Sequence, residues 1–288
     1  QRKMIIMNNI INITYSGNNT AFRGILHSIL STIKLYNNVI NYYIITADVT
    51  DFKSSYAPIN EKQIQVIRKA IKEVNPENEV YLFDLTKQYH DTLRFSKNNA
   101  TEYTPYTLLR LYLDTLPVPD KLLYLDYDTM VCRPIDELFN INIDSYEFAA
   151  SLDYMGRFWM GPNYINAGVL LLNMKKIKET KVFENARNIL MKKWFKMPDQ
   201  SAIRKYVKDI LILEDRFNEQ RSIKPKTVVK HFNKGIKWFP FFHIYNYKQW
   251  QIDDVHKKLK IFMFDDIYDQ YKKLIEEFNF NINGLPKE

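Results

Sequence analysis

The chain has one cysteine, Cys132, among its 288 residues, so no internal disulfide can form. It has only 7 glycines, and they spell neither Gly-x-Gly-x-x-Gly nor Gly-Lys-Ser/Thr. Any nucleotide must therefore be held without a glycine-rich phosphate loop. No run approaches the ~18 uninterrupted apolar residues of a membrane-spanning helix. The opening Gln1-Arg2-Lys3-Met4 leads into no apolar stretch of the length a secretory signal uses. No internal repeat, low-complexity block or clear linker is present.

What is abundant excludes disorder. The chain is 46% hydrophobic and holds 20 Tyr and 18 Phe, enough for one large α/β domain or two small ones. The net charge of +8 favours anionic partners such as nucleotide phosphates or acidic lipid. No nucleic-acid motif accompanies the charge, so nucleic acid is not an expected partner. Cys132 lies in a strand-like context with no His nearby and reads as a small buried hydrophobe.

Hydrophobic periodicity predicts strands at 10–15, 42–46, 80–85, from 122, 148–152, 164–172, 210–213 and, last, 228–231. It predicts helices at 21–35, 60–74, 107–116, 175–194, from 199 to 205, and near 268–278. Alternating β and α units imply an α/β fold with a parallel or mixed sheet, whose sites lie beyond the carboxyl ends of strands. The simplest partition is a catalytic domain over residues 1–245 and a basic, aromatic, helical extension over 246–288.

The residues richest in chemistry are Leu122-Leu123-Tyr124-Leu125-Asp126-Tyr127-Asp128. An apolar strand stops on two carboxylates spaced i, i+2, which in a strand face the same side. Like charges at the end of a buried strand repel, and a hard divalent cation with oxygen ligands would offset that. Three readings follow. Asp-x-Asp can hold Mn²⁺ or Mg²⁺ against the phosphates of a UDP-sugar. It can be the nucleophile strand of a haloacid-dehalogenase-like phosphatase, completed by Asp265 and Asp266 after Ile261–Phe264. Or both carboxylates cap backbone amides in a turn. Against the phosphatase, Met130 stands where its Thr belongs, Thr129 where its Gly belongs, and more than a hundred residues precede the motif.

Four segments decide among these readings. They are Leu109-Arg110-Leu111 through Asp126-Tyr127-Asp128, then Tyr164-Ile165-Asn166-Ala167-Gly168-Val169-Leu170-Leu171-Leu172-Asn173-Met174, then Pro198-Asp199-Gln200, and His231-Phe232-Asn233 with Gly235 and Lys237-Trp238. In this order they resemble glycosyltransferase family 8, which includes glycogenin and bacterial lipopolysaccharide galactosyl- and glucosyltransferases. The resemblance implies a GT-A fold: a Rossmann-like mixed central sheet flanked by helices, metal-dependent and retaining. It implies Asp126, Asp128 and His231 as metal ligands. Donor-sugar contacts would come from Arg110, Asp153, Asn166, Ala167, Gly168, Asp199 and Gln200. Gln200 would meet the anomeric centre and Asp199 would orient the sugar. Tyr15, Ser16, Asn18, Tyr127, Gly235 and Lys237 are the implied nucleotide contacts.

Two departures stand out. Lys234 occupies the family's glycine place three residues after the His, and the Tyr15–Asn19 turn lacks the family's Asp. They motivate a second possibility within the family, a member that binds sugar nucleotide without turnover. The resemblance further implies a UDP-hexose donor and a glycan, glycolipid or glycoprotein acceptor. The expected location is the cytoplasm, with peripheral contact at the inner membrane face through Lys257, Lys258 and Lys260.

Overall fold

The structure is a computed structural model that describes residues 10–100, 104–237, 241 and 243–287. Seven strands form the central sheet: β1 (Ile11–Ser16), β2 (Ile40–Thr46), β3 (Glu79–Asp84), β4 (Lys121–Leu125), β6 (Phe148–Leu152), β7 (Ile165–Asn173) and β8 (Ile210–Leu213). Their spatial order is β3-β2-β1-β4-β7-β6-β8. Strand β7 is antiparallel to both β4 and β6, while every other adjacent pair is parallel. Two small sheets complete the chain. Strand β5 (Thr129–Val131) pairs with β9 (Val229–His231), and β10 (Gly235–Lys237) pairs with β11 (His243–Tyr245).

Alternation of side chains along each strand feeds two cores. Leu123 and Leu125 of β4 join one core with the helices Phe22–Ile33, Glu61–Val74 and Asp265–Glu277. Leu122 and Tyr124 join the other, beneath the helices Val182–Lys192 and Pro198–Tyr206. The segment 246–288 contributes Val255, Phe264, Tyr268, Tyr271 and Phe280 to the first core, and Phe280 packs edge-on to Phe22 at 6.2 Å. Among the described residues no helix is long and apolar enough to cross a membrane.

Three local differences from the sequence reading have physical causes. The helix expected at 175–194 is two helices, Met174–Thr180 and Val182–Lys192, because Lys181 takes the left-handed conformation at φ 55°. The helix expected at 107–116 is α-helical only at Tyr106–Leu109 and tightens to a 3₁₀ turn over Arg110–Thr115. The strand expected to be last is followed by β10 and β11.

The helix Glu61–Val74 shows how locally these elements are specified. Asn60 accepts from the Gln63 amide at 3.0 Å, and Gln63 accepts in return from the Asn60 amide at 3.2 Å. Asn60→Ala removes this cap. It is expected to lower stability by about 1 kcal/mol, measured as a reduced urea midpoint with an unchanged slope.

Candidate active site

Strand β4 ends at Leu125, and the Asp126 amide donates to the Gly168 carbonyl of β7 at 2.8 Å. Asp126 and Asp128 therefore do not continue an extended strand, as the i, i+2 argument assumed. They sit in a turn closed by the Thr129 amide on the Asp126 carbonyl at 3.2 Å. Immediately after it, β5 pairs with β9, placing Thr129 opposite His231. The Phe232 amide then donates to the Asp128 carbonyl at 2.8 Å. These two short pairings bring together side chains far apart in sequence. One donor atom from each of Asp126, Asp128 and His231 lies within 4.8 Å of the others. The His231 Nε2 is 3.2 Å from Asp128 Oδ1 and 3.9 Å from Asp126 Oδ2.

Gly168 makes this approach feasible. A Cβ there would fall on His231 Cε1 and lie 2.9 Å from Asp126 Oδ2. The absent side chain is thus the space in which the imidazole and carboxylate meet.

A buried chain of amides fixes the histidine tautomer. The Gly168 N–H can only donate, so Asn166 presents Oδ1 to it at 2.9 Å and its Nδ2 to Asp153 at 3.0 Å. Asn218 Nδ2 donates to the same Asn166 Oδ1 at 2.9 Å, leaving Asn218 Oδ1 3.0 Å from His231 Nδ1. That oxygen is an acceptor, so Nδ1 carries a proton and Nε2 is the ring nitrogen turned toward the two aspartates. Sequence reasoning missed Asn218. It follows the 3₁₀ turn Asp215–Phe217 and is placed by the bridge of its neighbour Glu219 to Lys230 of β9, a contact that no local pattern announces.

Each carboxylate of the pair has its own protein cation. Arg110 is buried, donates to Asp126 Oδ1 at 2.9 Å, contacts the Ala167 carbonyl and lies 3.3 Å from Asp199. Its guanidinium stacks 4.2 Å from the Tyr124 ring, and the Tyr124 hydroxyl also donates to Asp126. Lys248 reaches Asp128 Oδ2 at 2.5 Å. Burial alone would raise the Asp128 carboxyl, but Lys248 and His231 outweigh it and hold it well below the usual carboxylate range. At Asp199 burial prevails over Arg110, and the carboxyl is raised. Nothing in the sequence marks Lys248 among the 41 Lys and Arg.

The remaining expected contacts divide. Asp153, Asn166, Ala167, Gly168, Asp199 and Gln200 join the network around the triad. Gln200 Oε1 accepts from the Ala167 amide at 3.1 Å, and its Nε2 donates to Asp153 at 3.3 Å. Asp153 also caps the Met155 and Gly156 amides. The N-terminal turn differs from expectation. The Tyr15 ring is in the core, its hydroxyl hydrogen-bonded to Ser28 at 2.9 Å. The Ser16 hydroxyl donates to the Tyr106 carbonyl, and Asn18 Oδ1 accepts from the Ala21 amide. The side chains of Tyr15 and Ser16 are thus taken up internally. The Tyr127 ring stacks on Trp250 at 5.9 Å. The space beside Gly235 is taken by the Tyr245 ring. The side chain of Lys237, and all of Trp238, fall outside the described residues. Asp265 and Asp266 open a helix and pair with His256 and Lys34, which leaves the phosphatase without its second acidic strand.

Two carboxylates and an imidazole of fixed tautomer, around a space that a Cβ would fill, are a donor set that fits a divalent metal ion. Asn218→Leu is expected to weaken Mn²⁺ binding roughly 10–100-fold, read by electron paramagnetic resonance. Asn218→Asp keeps an acceptor for Nδ1–H and should retain most of the affinity. If Asn218→Leu binds as tightly as wild type, the amide chain does not orient His231.

The sequence pattern of glycosyl transferase family 8 matches residues 12–254. A putative glycosyltransferase of Haemophilus influenzae is 26% identical over 221 residues, covering 72% of this chain and 63% of that protein. Glycosyltransferase GlyA of Streptococcus pneumoniae is 28% identical over 153 residues, 52% of this chain and 19% of that protein. The chain therefore spans less than two thirds of the length of either relative. An active-site mutant of LgtC superposes with a TM-score of 0.66 at 16% identity, covering 93% of this chain and 96% of LgtC. LgtC with donor and acceptor sugar analogues gives 0.64 at 16% identity, covering 91% and 96%. The fold is GT-A, and the chain belongs to glycosyltransferase family 8.

Proposed function

We propose that the protein transfers a hexose, galactose or glucose, from a UDP-sugar to a glycan, lipid-linked or glycoprotein acceptor, with retention at the anomeric carbon and dependence on Mn²⁺ or Mg²⁺. The observation that carries this reading is the junction of the Asp126–Asp128–His231 triad with the Asp153–Asn166–Gln200 network. A divalent cation held by the triad would offset charge on the departing diphosphate.

The chain's own groups supply the rest. Arg110 orients Asp126. Asp153, Asn166, Asp199 and Gln200 line up buried polar groups with hydrogen-bonding capacity left for sugar hydroxyls. The bond from the anomeric carbon to the diphosphate oxygen breaks as the acceptor oxygen bonds to that carbon from the same face. The acceptor proton passes to the leaving phosphate oxygen, and Gln200 steadies the anomeric centre.

A cavity of about 430 Å³ supports a place for the acceptor. It lies between the loops that follow Asp153, Asn218 and His231, and Tyr154, Gln220, Arg221, Asn233, Tyr245 and Lys258 help to line it. Two tyrosine rings suit the faces of a sugar, and the amides suit its hydroxyls. Half-exposed Phe262 and Met263 beside Lys257, Lys258 and Lys260 support peripheral contact with an anionic membrane.

UDP release from UDP-galactose, UDP-glucose and UDP-xylose, with Mn²⁺ and with EDTA, tests the reading. One donor should be consumed in a metal-dependent way, and Asp128→Asn should reduce the rate by about a hundredfold or more. Hydrolysis of p-nitrophenyl phosphate with no turnover of any UDP-sugar would overturn it. Binding of a UDP-sugar without turnover would mark a sugar-binding member of the family.

A further inference from the structure

Lys248 has no role in the reading above, and its position is specific. Its ammonium touches Asp128 Oδ2 at 2.5 Å and donates to the Phe232 carbonyl at 2.9 Å, with the side chain only 17% exposed. Its neighbours anchor it to the residue between the two aspartates. Gln249, fully buried, donates to the Tyr127 carbonyl at 2.7 Å, and Trp250 stacks on the Tyr127 ring. Asp128 consequently has Lys248 on one oxygen and His231 on the other. Asp126 likewise has Arg110.

The repulsion that the bare sequence assigned to a metal is thus already offset by two protein cations. A dication entering the triad meets neutralised carboxylates and an ammonium bonded to one of its own ligands. Like-charge repulsion at that range is strong in a water-poor site. A nucleotide diphosphate changes the balance, because it brings negative charge to the dication and offers the ammonium another acceptor.

We propose that Lys248 is a specificity-determining residue that makes divalent-cation binding at Asp126, Asp128 and His231 conditional on a nucleoside diphosphate. The inference rests on the metal-dependent reading of the triad. It implies that the free protein binds Mn²⁺ weakly and that Mn²⁺ and UDP raise each other's affinity by the same factor.

Mn²⁺ binding, followed by electron paramagnetic resonance with and without UDP, tests this on wild type, Lys248→Met and Lys248→Arg, with thermal melts to verify folding. Wild type should bind Mn²⁺ at least roughly tenfold more tightly with UDP present. Lys248→Met should gain roughly tenfold in Mn²⁺ affinity without UDP, shrinking the effect of the nucleotide. Lys248→Arg keeps the charge and should behave as wild type. No gain in Lys248→Met, or an equal gain in Lys248→Arg, overturns the proposal while leaving the transferase intact. Absence of Mn²⁺ binding in all three proteins, even with UDP, sinks the metal-dependent reading itself.

Discussion

The site depends on one backbone contact, the Asp126 amide on the Gly168 carbonyl. It exists because β7 runs against β4, so the beginning of one strand lies beside the end of the other. A parallel β7 would bring Asn173 to that edge instead. With the observed direction, Asn166-Ala167-Gly168 flanks the carboxylates, and the missing Cβ of Gly168 lets His231 close over them. Sheet topology, more than any single side chain, decides which polar groups meet.

The electrostatics of the centre follow from burial. Buried charges are stabilised only when paired and hydrogen-bonded. Arg110 meets this condition through Asp126, Asp199, the Ala167 and Thr107 carbonyls, and the face of Tyr124. The other side of the site obeys the same rule. Asp153, Asn166, Asn218 and His231 form a chain in which each amide's orientation is dictated by the next, starting from a backbone N–H that can only donate. The network therefore fixes a proton on Nδ1 of His231 and turns Nε2 toward the aspartates.

Much of this was legible in the sequence because it was local or carried by contiguous motifs. The alternation of β and α units and the apolar run with Asn166 and Gly168 in it placed residues where the structure has them, and the carboxylates do follow β4, though in a turn and not in its strand. The capping of Glu61–Val74 is equally readable, since both partners lie within four residues. Features set by tertiary contact were not. Lys181 breaks a continuous helical pattern without a glycine or proline to announce it. Tyr15 sits beside a turn that could face a ligand, yet its ring packs in the core on Tyr42 at 6.5 Å. Asn218 and Lys248 owe their places to β9 and to the Tyr127–Trp250 stack, and no local pattern encodes either.

The three-residue pairing of β5 with β9 has a consequence in time. Asp126 and Asp128 leave the ribosome well before His231, with β6, β7 and β8 still to be made between them. Throughout that interval the growing chain holds the acidic turn without its imidazole, and without Asn218 or Lys248. Any cation-binding geometry at this site is thus acquired only after most of the sheet around it is already available to fold.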